Sequence, residues 1–483
     1  MGRTEEEFPA YRGEMEYVCQ GCGSRFPAAE LYYTCPRCGG VFLLEDTRFS
    51  RLAETPGRTW RETFDARAAS KHPALQGIFR FYELVAPILE PGDIVSPGEG
   101  QTPVVRGNPD LEKRVGQPLA FKNEGQNPSA SFKDRGMACA FSYLRSVVRQ
   151  RQWERMLTVC ASTGDTSAAA AMYAAYVGDR ITAVVLLPRG KVTSQQLAQP
   201  LGSGARVLEL PGVFDDCMKV VEHLAETCPV ALLNSKNSWR ILGQETYAFE
   251  VAQWADWETG DKAVFVPVGN AGNISAIMAG FLKLYRLGII RELPQIFGVQ
   301  SSHADPVYRY YSAPKHERRY EPVAVRSSVA QAAMIGDPVS FPRVRSLVGQ
   351  YQALAGESGF QVIRVSEQEI VEGMLEANRQ GHVACTQGGE SLAGLLRAVG
   401  EGAVSREKTA VLNATAHSLK FQSFQQMYFE DSFPPEYGIE PRPELVNLPH
   451  RVRGGDAPTG EDRDAFVSRA AAEVMELLGL SGA

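Results

Sequence analysis

The stretch MLTVCASTGDTSAAAAMYAAYVGDRITAVVLLP, residues 156–188, places an alanine-rich helix between two short apolar strands. The strands, 156–160 and 181–188, contain no charged residue, as is typical of a parallel sheet buried on both faces. The loop after the first strand is rich in hydroxyl groups. The stretch therefore predicts one unit of an α/β fold, with this loop at the carboxyl end of the sheet, where such folds bind ligands.

The same alternation of strands and helices covers much of the remaining chain. It continues to residue 234 and resumes from 263 to 415, with runs such as AVFVPVG and TAVLNAT. Two successive parallel-sheet units are therefore predicted. We expect a zinc ribbon at 1–47, a connector that wraps onto the main body at 48–118, the α/β region at 119–445 with a smaller unit at about 150–250, and at 446–483 a proline-rich tail ending in a helix.

The composition is that of a globular protein with a large core. The chain has 483 residues, of which 44% are hydrophobic and 22% are charged. A net charge of −6 argues against a nucleic-acid binder that relies on bulk electrostatics. The polar start MGRTEEEFPAYRGEMEYV does not resemble an export signal, and no apolar run reaches the ~18 residues of a membrane span. We expect a cytoplasmic protein without a membrane or nucleic-acid partner.

Four of the nine cysteines form the pattern C-x2-C-x12-C-x2-C. Cys19, Cys22, Cys35 and Cys38 predict one tetrahedral zinc site, with a glycine directly after each pair where the turn needs backbone freedom. Four thiolates leave no open position, so the zinc would be structural. Redox dithiols or disulfides are the alternative. The other five cysteines are scattered among apolar residues and are expected to be small buried hydrophobes.

Two loops that follow predicted strands are suited to anions. The first offers Ser162, Thr163 and Thr166 at the start of a helix, where hydroxyls and free amides favour an anionic group. A simple helix cap is the alternative. The second, VPVGNAGNISA, opens a helix with glycines at 269 and 272, whose small size lets amides face a phosphate. It lacks the dinucleotide and Walker patterns, and a plain tight turn is its alternative.

A third loop and one lysine complete the set. The segment NSKNSWRILGQE gathers Asn234, Ser235 and Arg240 after a strand, although alone it would indicate a solvated loop with a helix cap. Lys133, in NPSASFKDRGM, lies between a small-residue loop and the start of a helix. A lysine on a rigid element beside a phosphate-binding loop suits an aldehyde cofactor, which it holds as a Schiff base. In isolation, Lys133 would be interpreted as a surface lysine.

Together these motifs resemble threonine synthases, which are pyridoxal-phosphate enzymes of the tryptophan-synthase-β fold. NPSASFKDRGM, ASTGDTSAAA, NSKNSWRILGQE, VPVGNAGNISA and LNATAHSLKF occur in the family's order between Gly98 and about Phe421. The ribbon is not common to the whole family. The resemblance implies two parallel-sheet α/β domains of the fold type II class of these enzymes, preceded by the zinc ribbon.

The resemblance also implies roles for individual residues. Lys133 would hold the cofactor and move protons while O-phosphohomoserine and water become threonine and phosphate. Ser162, Thr163 and Thr166 would bind the substrate carboxylate, and Asn234, Ser235 and Arg240 its phosphate. The cofactor would contact Phe132, Asp165, Gly269, Asn270, Ala271, Gly272, Asn273 and Thr415, the last at the pyridine nitrogen. This family commonly forms dimers, so a homodimer is expected.

The sequence departs from the family pattern in three places. Asp165 stands where many members have an asparagine that contacts the cofactor's phenolic oxygen, which changes the charge beside the lysine. Ser129 and Ala130 replace a threonine and a glycine. The segment GHVACTQGGESLAG, residues 381–394, matches only loosely, and no role is assigned to its polar side chains, Gln387 among them.

Two other functions stay open. Within the fold, the chain could be a threonine or serine dehydratase, or a synthase that joins phosphoserine to a sulfur nucleophile; dehydratases do not need Arg240. Outside the enzymes, the ribbon could indicate a nucleic-acid binder or a scaffold protein. The acidic net charge and the intact lysine argue against this alternative.

The C-terminal AFVSRAAAEVMELLGL places Phe466, Ala470, Val474 and Leu478 on one helical face, which normally docks on its own domain or a partner subunit.

Overall fold

The computed structural model describes residues 8–160, 164–178, 180–189, 194–211, 214–452 and 463–480. Its strands are β1 (Met15–Cys19), β2 (Arg25–Pro27), β3 (Phe42–Asp46), β4 (Val104–Arg106), β5 (Leu119–Asn123), β6 (Met156–Cys160), β7 (Ile181–Pro188), β8 (Arg206–Leu210), β9 (Val230–Leu232), β10 (Lys262–Pro267), β11 (Gln295–Ser301), β12 (Phe360–Val365) and β13 (Thr409–Ala414).

The α-helices lie between and after these strands, and short 3-10 turns complete several connections. The helices are α1 (Gly57–Arg67), α2 (Tyr82–Val85), α3 (Pro109–Val115), α4 (Lys133–Gln150), α5 (Asp165–Val177), α6 (Ser194–Gly202), α7 (Phe214–Thr227), α8 (Ser238–Gln244), α9 (Thr246–Trp254), α10 (Gly272–Arg286), α11 (Pro306–Ser312), α12 (Phe341–Ala355), α13 (Glu367–Arg379), α14 (Thr386–Gly400), α15 (Gln422–Phe429) and α16 (Arg463–Leu477).

The larger sheet has the strand order β12–β11–β10–β13–β5–β4. Its first five strands are parallel, and β4, from within the predicted connector, pairs antiparallel with β5 at the edge. Alternate residues of β10 enter two different cores: Val264 and Val266 pack in one, and Phe265 stacks on Phe297 in the other at 4.5 Å between ring centroids. Burial on both faces explains why these strands are continuously apolar.

The smaller sheet has the order β8–β7–β6–β9, and all its strands are parallel. Its central strands β6 and β7 are those of residues 156–188, with α5 between them. Val159 and Val184 form a separate small core with Cys217 and Val221 of α7. The predicted fold class, two parallel-sheet α/β units preceded by a small ribbon, is confirmed.

The ribbon is an antiparallel sheet of order β2–β1–β3. Along β1, Met15, Tyr17 and Cys19 are buried and the residues between them are less so, as the two-residue period of a strand requires. The buried face of the ribbon packs in the same core as helix α4 and residues of α8. The ribbon is therefore joined to the main body through a shared apolar core.

At the other end of the chain, α16 buries none of its described side chains. Val474 and Leu478, on the face predicted to dock, are 40% and 65% exposed. The apolar face of this helix is thus not covered by the described part of the chain. Among the described helices, none has the length and apolar character needed to span a bilayer.

Candidate active site

Lys133 is the first residue of α4, and the loop before it is held against the end of β13. The Phe132 amide donates to the Thr415 carbonyl at 2.9 Å, and the His417 amide donates to the Ala130 carbonyl at 3.1 Å. Ala130 has a φ of +63°, in the left-handed region that favours glycine. The alanine adopts this backbone conformation at a cost of about 1–2 kcal/mol.

The electrostatic environment of Lys133 destabilises its charged form. Its Nζ lies 4.2 Å from the centroid of the Phe132 ring. Burial, and after it the guanidinium of Arg240, lowers the pKa of Lys133 from 10.5 to about 8, while the carboxylate of Asp165 acts in the opposite direction. A substantial fraction of the lysine is therefore the neutral amine near neutral pH, the form that attacks an aldehyde or accepts a proton.

Asp165, the acidic departure from the family pattern, is paired with a second lysine. Its Oδ1 lies 2.8 Å from the Nζ of Lys420, and both side chains are largely buried. Lys420 belongs to the LNATAHSLKF motif, but the sequence analysis did not select it. The extra negative charge beside Lys133 is thus compensated within the protein.

Residues 269–273 connect β10 to the start of α10 in a tight, close-packed turn. Ala271 has a φ of +60°, and a Cβ added to Gly269 would lie 2.8 Å from the Cα of Ala333. The Asn270 carbonyl accepts a hydrogen bond from the Ser340 amide at 3.1 Å, which ties the turn to α12. The buried Nδ2 of Asn273 has no partner within the described residues. This free donor and the amides at the start of a long helix fit a phosphate group.

Thr415 directly follows β13 and is only 5% exposed. Its Oγ1 lies 3.6 Å from the Sγ of Cys385, and that sulfur also accepts a hydrogen bond from the Gly388 amide at 3.4 Å. Cys385 is therefore the N-cap of α14 and connects this helix to the end of β13. The contact fixes the Thr415 hydroxyl at the edge of the sheet.

Arg240 lies on α8 and is 3% exposed. Its Nη1 donates to the Leu233 carbonyl at 2.9 Å, whereas its Nε has no partner in the described part of the chain. Burial lowers the pKa of Arg240 to about 10. A buried guanidinium with a free donor is suited to an anionic ligand.

One cavity brings most of the predicted residues together. Asn234 and Thr166 are not among its lining residues, and the Asn234 Oδ1 instead accepts from the Lys236 amide at 3.0 Å and closes a turn. Ser162 and Thr163 lie outside the described residues. The predicted residues that line the cavity are Phe132, Lys133, Asp165, Ser235, Arg240, Gly269, Asn270, Ala271, Gly272, Asn273 and Thr415.

Comparison with known proteins agrees with this geometry. The model of the family "Pyridoxal-phosphate dependent enzyme" matches residues 95–416, which includes every described residue of the cavity. The chain belongs to this family. It is 37% identical to the threonine synthase of Methanocaldococcus jannaschii over 83% of this chain and 92% of that one, and 35% identical to the threonine synthase of Mycobacterium tuberculosis over 72% and 90%.

Solved structures of other enzymes share the fold of this chain. The threonine synthase from Escherichia coli superposes with a TM-score of 0.60 at 19% identity, over 85% of this chain and 90% of that one. Maize serine racemase superposes with a TM-score of 0.55 at 19% identity, over 73% and 96%. Because enzymes with different reactions superpose almost equally well, the fold alone does not specify the reaction.

The cavity of this pyridoxal-phosphate-dependent enzyme also contains residues that the sequence analysis missed. One of them is Gln387, which is 2% exposed and has no partner for either polar side-chain atom among the described residues. The available signal was a glutamine within the small and apolar residues of α14. The other unanticipated lining residues are Ile241, Gln244, Pro267, Ala332 and Ala333.

Arg135, two residues after Lys133, belongs to a buried network of ion pairs beneath the site. Arg135 is fully buried, and its guanidinium contacts carboxylate oxygens of Glu124 and Glu250 at 2.7 Å. Lys122 on β5 also reaches Glu250, at 2.6 Å. These charges are paired and hydrogen-bonded, so the network holds α4 on the large sheet and leaves Lys133 as the charged residue of this segment that faces the cavity.

The ribbon of this enzyme has the donor set of a structural zinc site. The four predicted cysteine sulfurs lie within 4.8 Å of one another. The Sγ atoms of Cys19 and Cys38 are 3.4 Å apart, and those of Cys22 and Cys35 are 3.7 Å apart. A tetrahedral zinc with Zn–S bonds of about 2.3 Å requires separations of about 3.8 Å, so the cluster fits zinc with little adjustment.

Proposed function

We propose that the protein is a threonine synthase, which converts O-phospho-L-homoserine and water to L-threonine and phosphate. Similarity to threonine synthases over most of their length supports this proposal. The observation that carries it is a second anion site: Arg240 lines the cavity of Lys133, is buried, and has no carboxylate partner among the described residues. A dehydratase, whose substrate has no phosphate, does not need this guanidinium.

The positive charge at this site is larger than one arginine. Arg343 of α12 is fully buried, and burial together with the charge of Arg240 lowers the pKa of Arg343 to about 9. Neither guanidinium has a carboxylate partner among the described residues, and a buried guanidinium without one is unfavourable because it loses its hydration without gaining an opposite charge. A phosphate group on the substrate would compensate this charge. We therefore assign the substrate phosphate to Arg240 and Ser235.

The remaining substrate groups follow from the chemistry of the cavity. We assign the substrate carboxylate to the loop at the start of α5, with Ser162, Thr163 and Thr166. We assign the cofactor phosphate to the amides of residues 269–273 and the pyridine nitrogen to Thr415. A hydroxyl group, unlike a carboxylate, does not keep the ring nitrogen protonated, which should limit side reactions such as transamination.

When bound, pyridoxal phosphate supplies an aldehyde that captures the substrate amine and a conjugated ring that withdraws electrons from the substrate carbons. We propose that Lys133 then removes the α-proton and one proton from Cβ, after which the Cγ–O bond breaks and phosphate leaves with the bonding electron pair. Water adds its hydroxyl group at Cβ, one proton returns to Cγ and one to Cα, and the remaining proton of the water passes to the released phosphate. A pKa of about 8 suits this double role, because the amine both accepts and donates protons near neutral pH.

The water that adds at Cβ needs a polar partner, and we propose that Gln387 is that partner. Its amide offers a donor and an acceptor, and both are buried at the cavity without a partner in the described residues. A carboxamide is neither a general acid nor a general base near neutral pH, so Gln387 would orient the water while Lys133 carries the proton. Gln387 is thus a positioning residue for the second half of the reaction.

The test supplies the pyridoxal-phosphate-loaded protein with O-phospho-L-homoserine and measures phosphate and threonine. Equal yields support the proposal, and absence of phosphate release refutes it. Release of a 2-oxo acid and ammonia from threonine or serine would indicate a dehydratase. Consumption of phosphoserine only with a sulfur nucleophile would indicate a β-replacement enzyme.

Arg240→Met separates substrate binding from cofactor binding. We expect the KM for O-phosphohomoserine to rise about 10- to 150-fold, because a charge-assisted hydrogen bond contributes about 1.5–3 kcal/mol. The visible absorbance of the bound cofactor should persist. The matched control is Arg345→Met, which removes an exposed arginine of α12 and should leave the KM unchanged. An unchanged KM in Arg240→Met would remove the phosphate assignment.

We further propose a cytoplasmic homodimer, which the family resemblance supports, and the division of the chain at 1–47, 48–118, 119–445 and 446–483. Light scattering of the purified protein measures the mass of the oligomer, and limited proteolysis maps the boundaries between the segments. A monomeric mass, or cleavage within the ribbon rather than after it, would contradict these assignments.

A further inference from the structure

The ribbon rests directly on the helix that carries Arg240. Ser238 of α8 donates through its Oγ to the Phe42 carbonyl of β3 at 3.0 Å. Trp239 donates through its Nε1 to the Tyr17 hydroxyl of β1 at 3.1 Å. All these groups are buried. Two of the three ribbon strands therefore contact the first turn of α8, one residue or two before Arg240.

An aromatic stack supports the same contact from the other side. The Trp239 ring lies on the Tyr143 ring, with centroids 4.1 Å apart and an interplanar angle of 11°. The Tyr143 hydroxyl donates to the Ala28 carbonyl of the ribbon at 2.5 Å. Trp239 is thus fixed between helix α4 and the ribbon, and it has no alternative position without breaking a buried hydrogen bond.

Arg343 connects the ribbon to the loop of residues 234–237, which is called the substrate loop because it carries Ser235. Its Nε donates to the Phe42 carbonyl at 2.6 Å, and its Nη1 donates to the Ser235 carbonyl at 2.8 Å. Its Nη2 donates to the Lys236 carbonyl at 3.1 Å. One planar guanidinium therefore sets the distance between the last ribbon strand and the loop of residues 234–237.

The same guanidinium also reaches the proposed cofactor-phosphate turn. Its Nη1 donates to the Ser340 Oγ at 2.8 Å, and the Ser340 amide donates to the Asn270 carbonyl at 3.1 Å. Arg343 thus joins three parts of the chain that are far apart in sequence: the ribbon, the substrate loop and the turn of residues 269–273. A lysine, with one nitrogen, could not make these contacts at once.

We propose that the ribbon is a positioning element for the substrate's anion site, and that Arg343 is the positioning residue through which it acts. The ribbon sheet, held by its four cysteines, fixes the Phe42 carbonyl. That carbonyl orients Arg343 and Ser238, which in turn hold Ser235 and Arg240 at the cavity. The identity of the anion as a substrate phosphate rests on the proposed function, whereas the connection from ribbon to site does not.

This connection makes metal retention and anion binding mutually dependent. If an ordered ribbon raises the affinity of the site for an anion, an anion in the site must raise the affinity of the ribbon for the metal by the same coupling free energy. A ribbon that merely stabilises the fold would stabilise the empty and the occupied protein equally. An effect of anion binding on the metal affinity is therefore specific to a positioning role of the ribbon.

The first measurement is the equilibrium distribution of zinc between the zinc- and pyridoxal-phosphate-loaded enzyme and a chromophoric chelator, with and without inorganic phosphate. We expect saturating phosphate to raise the zinc affinity of the enzyme about three- to tenfold, the range of one or two hydrogen bonds. Chloride at equal ionic strength controls for general salt effects. An equal zinc affinity with phosphate and with chloride would overturn the proposal.

The second measurement compares three variants in the steady state. Ser238→Ala and Trp239→Phe each delete one ribbon hydrogen bond and should raise the KM for O-phosphohomoserine about three- to tenfold at nearly constant kcat. Arg25→Gln is the matched control, since Arg25 pairs with Glu16 and Glu45 on the exposed face of the ribbon. A KM that is unchanged in the first two variants, or raised equally in all three, would show a purely structural ribbon.

The two measurements also separate this inference from the proposed function. If O-phosphohomoserine is not turned over but phosphate still raises the zinc affinity, the anion site and its connection to the ribbon stand and the reaction is a different one. If turnover is normal and phosphate has no effect on the zinc affinity, the reaction stands and the positioning role fails. Arg343→Lys, where it folds, should reproduce the loss of coupling.

Discussion

The pH dependence of cofactor capture tests the environment of Lys133 most directly. The side chain must be neutral to attack the aldehyde, and the surrounding protein lowers its pKa from 10.5 to about 8. At pH 7 this corresponds to a neutral fraction of about one in ten, against about one in three thousand for an ordinary lysine. The cavity should therefore accelerate capture about 300-fold at this pH, provided that the attack is rate-limiting.

The assay mixes apoenzyme with a fixed concentration of pyridoxal phosphate and follows the visible absorbance between pH 6 and pH 10. The initial rate should rise about tenfold per pH unit below pH 8 and level off above it. Lys133→Ala is the control, because it should give no absorbance that borohydride removes. A rate that keeps rising to pH 10 would refute the assignment of a low pKa to this lysine.

Two substitutions should move this profile in opposite directions. Arg240→Met removes the positive charge that lowers the pKa of Lys133, so the plateau should begin at higher pH. Asp165→Asn removes the carboxylate that raises this pKa, so the plateau should begin at lower pH. Shifts of the same sign in both variants would show that the profile reports a structural change and not these charges.

Three further predictions concern other parts of the molecule. In Gln387→Met, the rate of phosphate release should stay within about threefold of wild type, but the yield of threonine per phosphate should fall below one. The remaining product should be 2-oxobutyrate with ammonia. A yield of threonine that stays at one would contradict the role of Gln387 in orienting water. Burial raises the pKa of Glu99 from 4.5 to about 8, so the free energy of unfolding should fall as pH rises through this range. Between pH 6 and pH 9 the loss should be about 3 kcal/mol, and Glu99→Gln should remove most of it in urea unfolding at these two pH values. Cys22→Ser with Cys38→Ser should lower the zinc content and the free energy of unfolding without preventing cofactor binding, and a well-folded variant that does not bind pyridoxal phosphate would contradict this expectation.

Much of the fold and cavity could be predicted because the relevant signals are local. A strand buried on both faces tolerates no charge, which makes residues 156–160 and 181–188 recognisable from composition. Parallel strands then place the loops that follow them at one sheet edge. Lys133, Thr415 and residues 269–273 meet there for this reason, although they are far apart in the chain.

Other contributions could not be predicted, because the residues concerned have no local signature. Lys420 pairs with Asp165 across a separation of 255 residues, and Arg343 reaches Ser235 across 108. In sequence each is an ordinary basic residue on a helical segment. Asn234 closes a turn with its side chain and does not line the cavity. The sequence could not predict this, because an asparagine in a loop is equally typical of ligand contact and of turn formation.

The sequence by itself determined the α/β class, the four-cysteine ribbon and the chemistry of the cavity, since each depends on residue type and spacing within a short segment. The tertiary structure alone decided which charges are compensated and which are not. The large sheet inserts β13, its last strand in the chain, between β10 and β5. That order brings Lys420 to Asp165, and the packing of α12 on the ribbon leaves Arg343 and Arg240 buried with no acidic partner in the part of the chain that the structure describes. The partners of a buried charge depend on its neighbours in space and not on its neighbours in sequence.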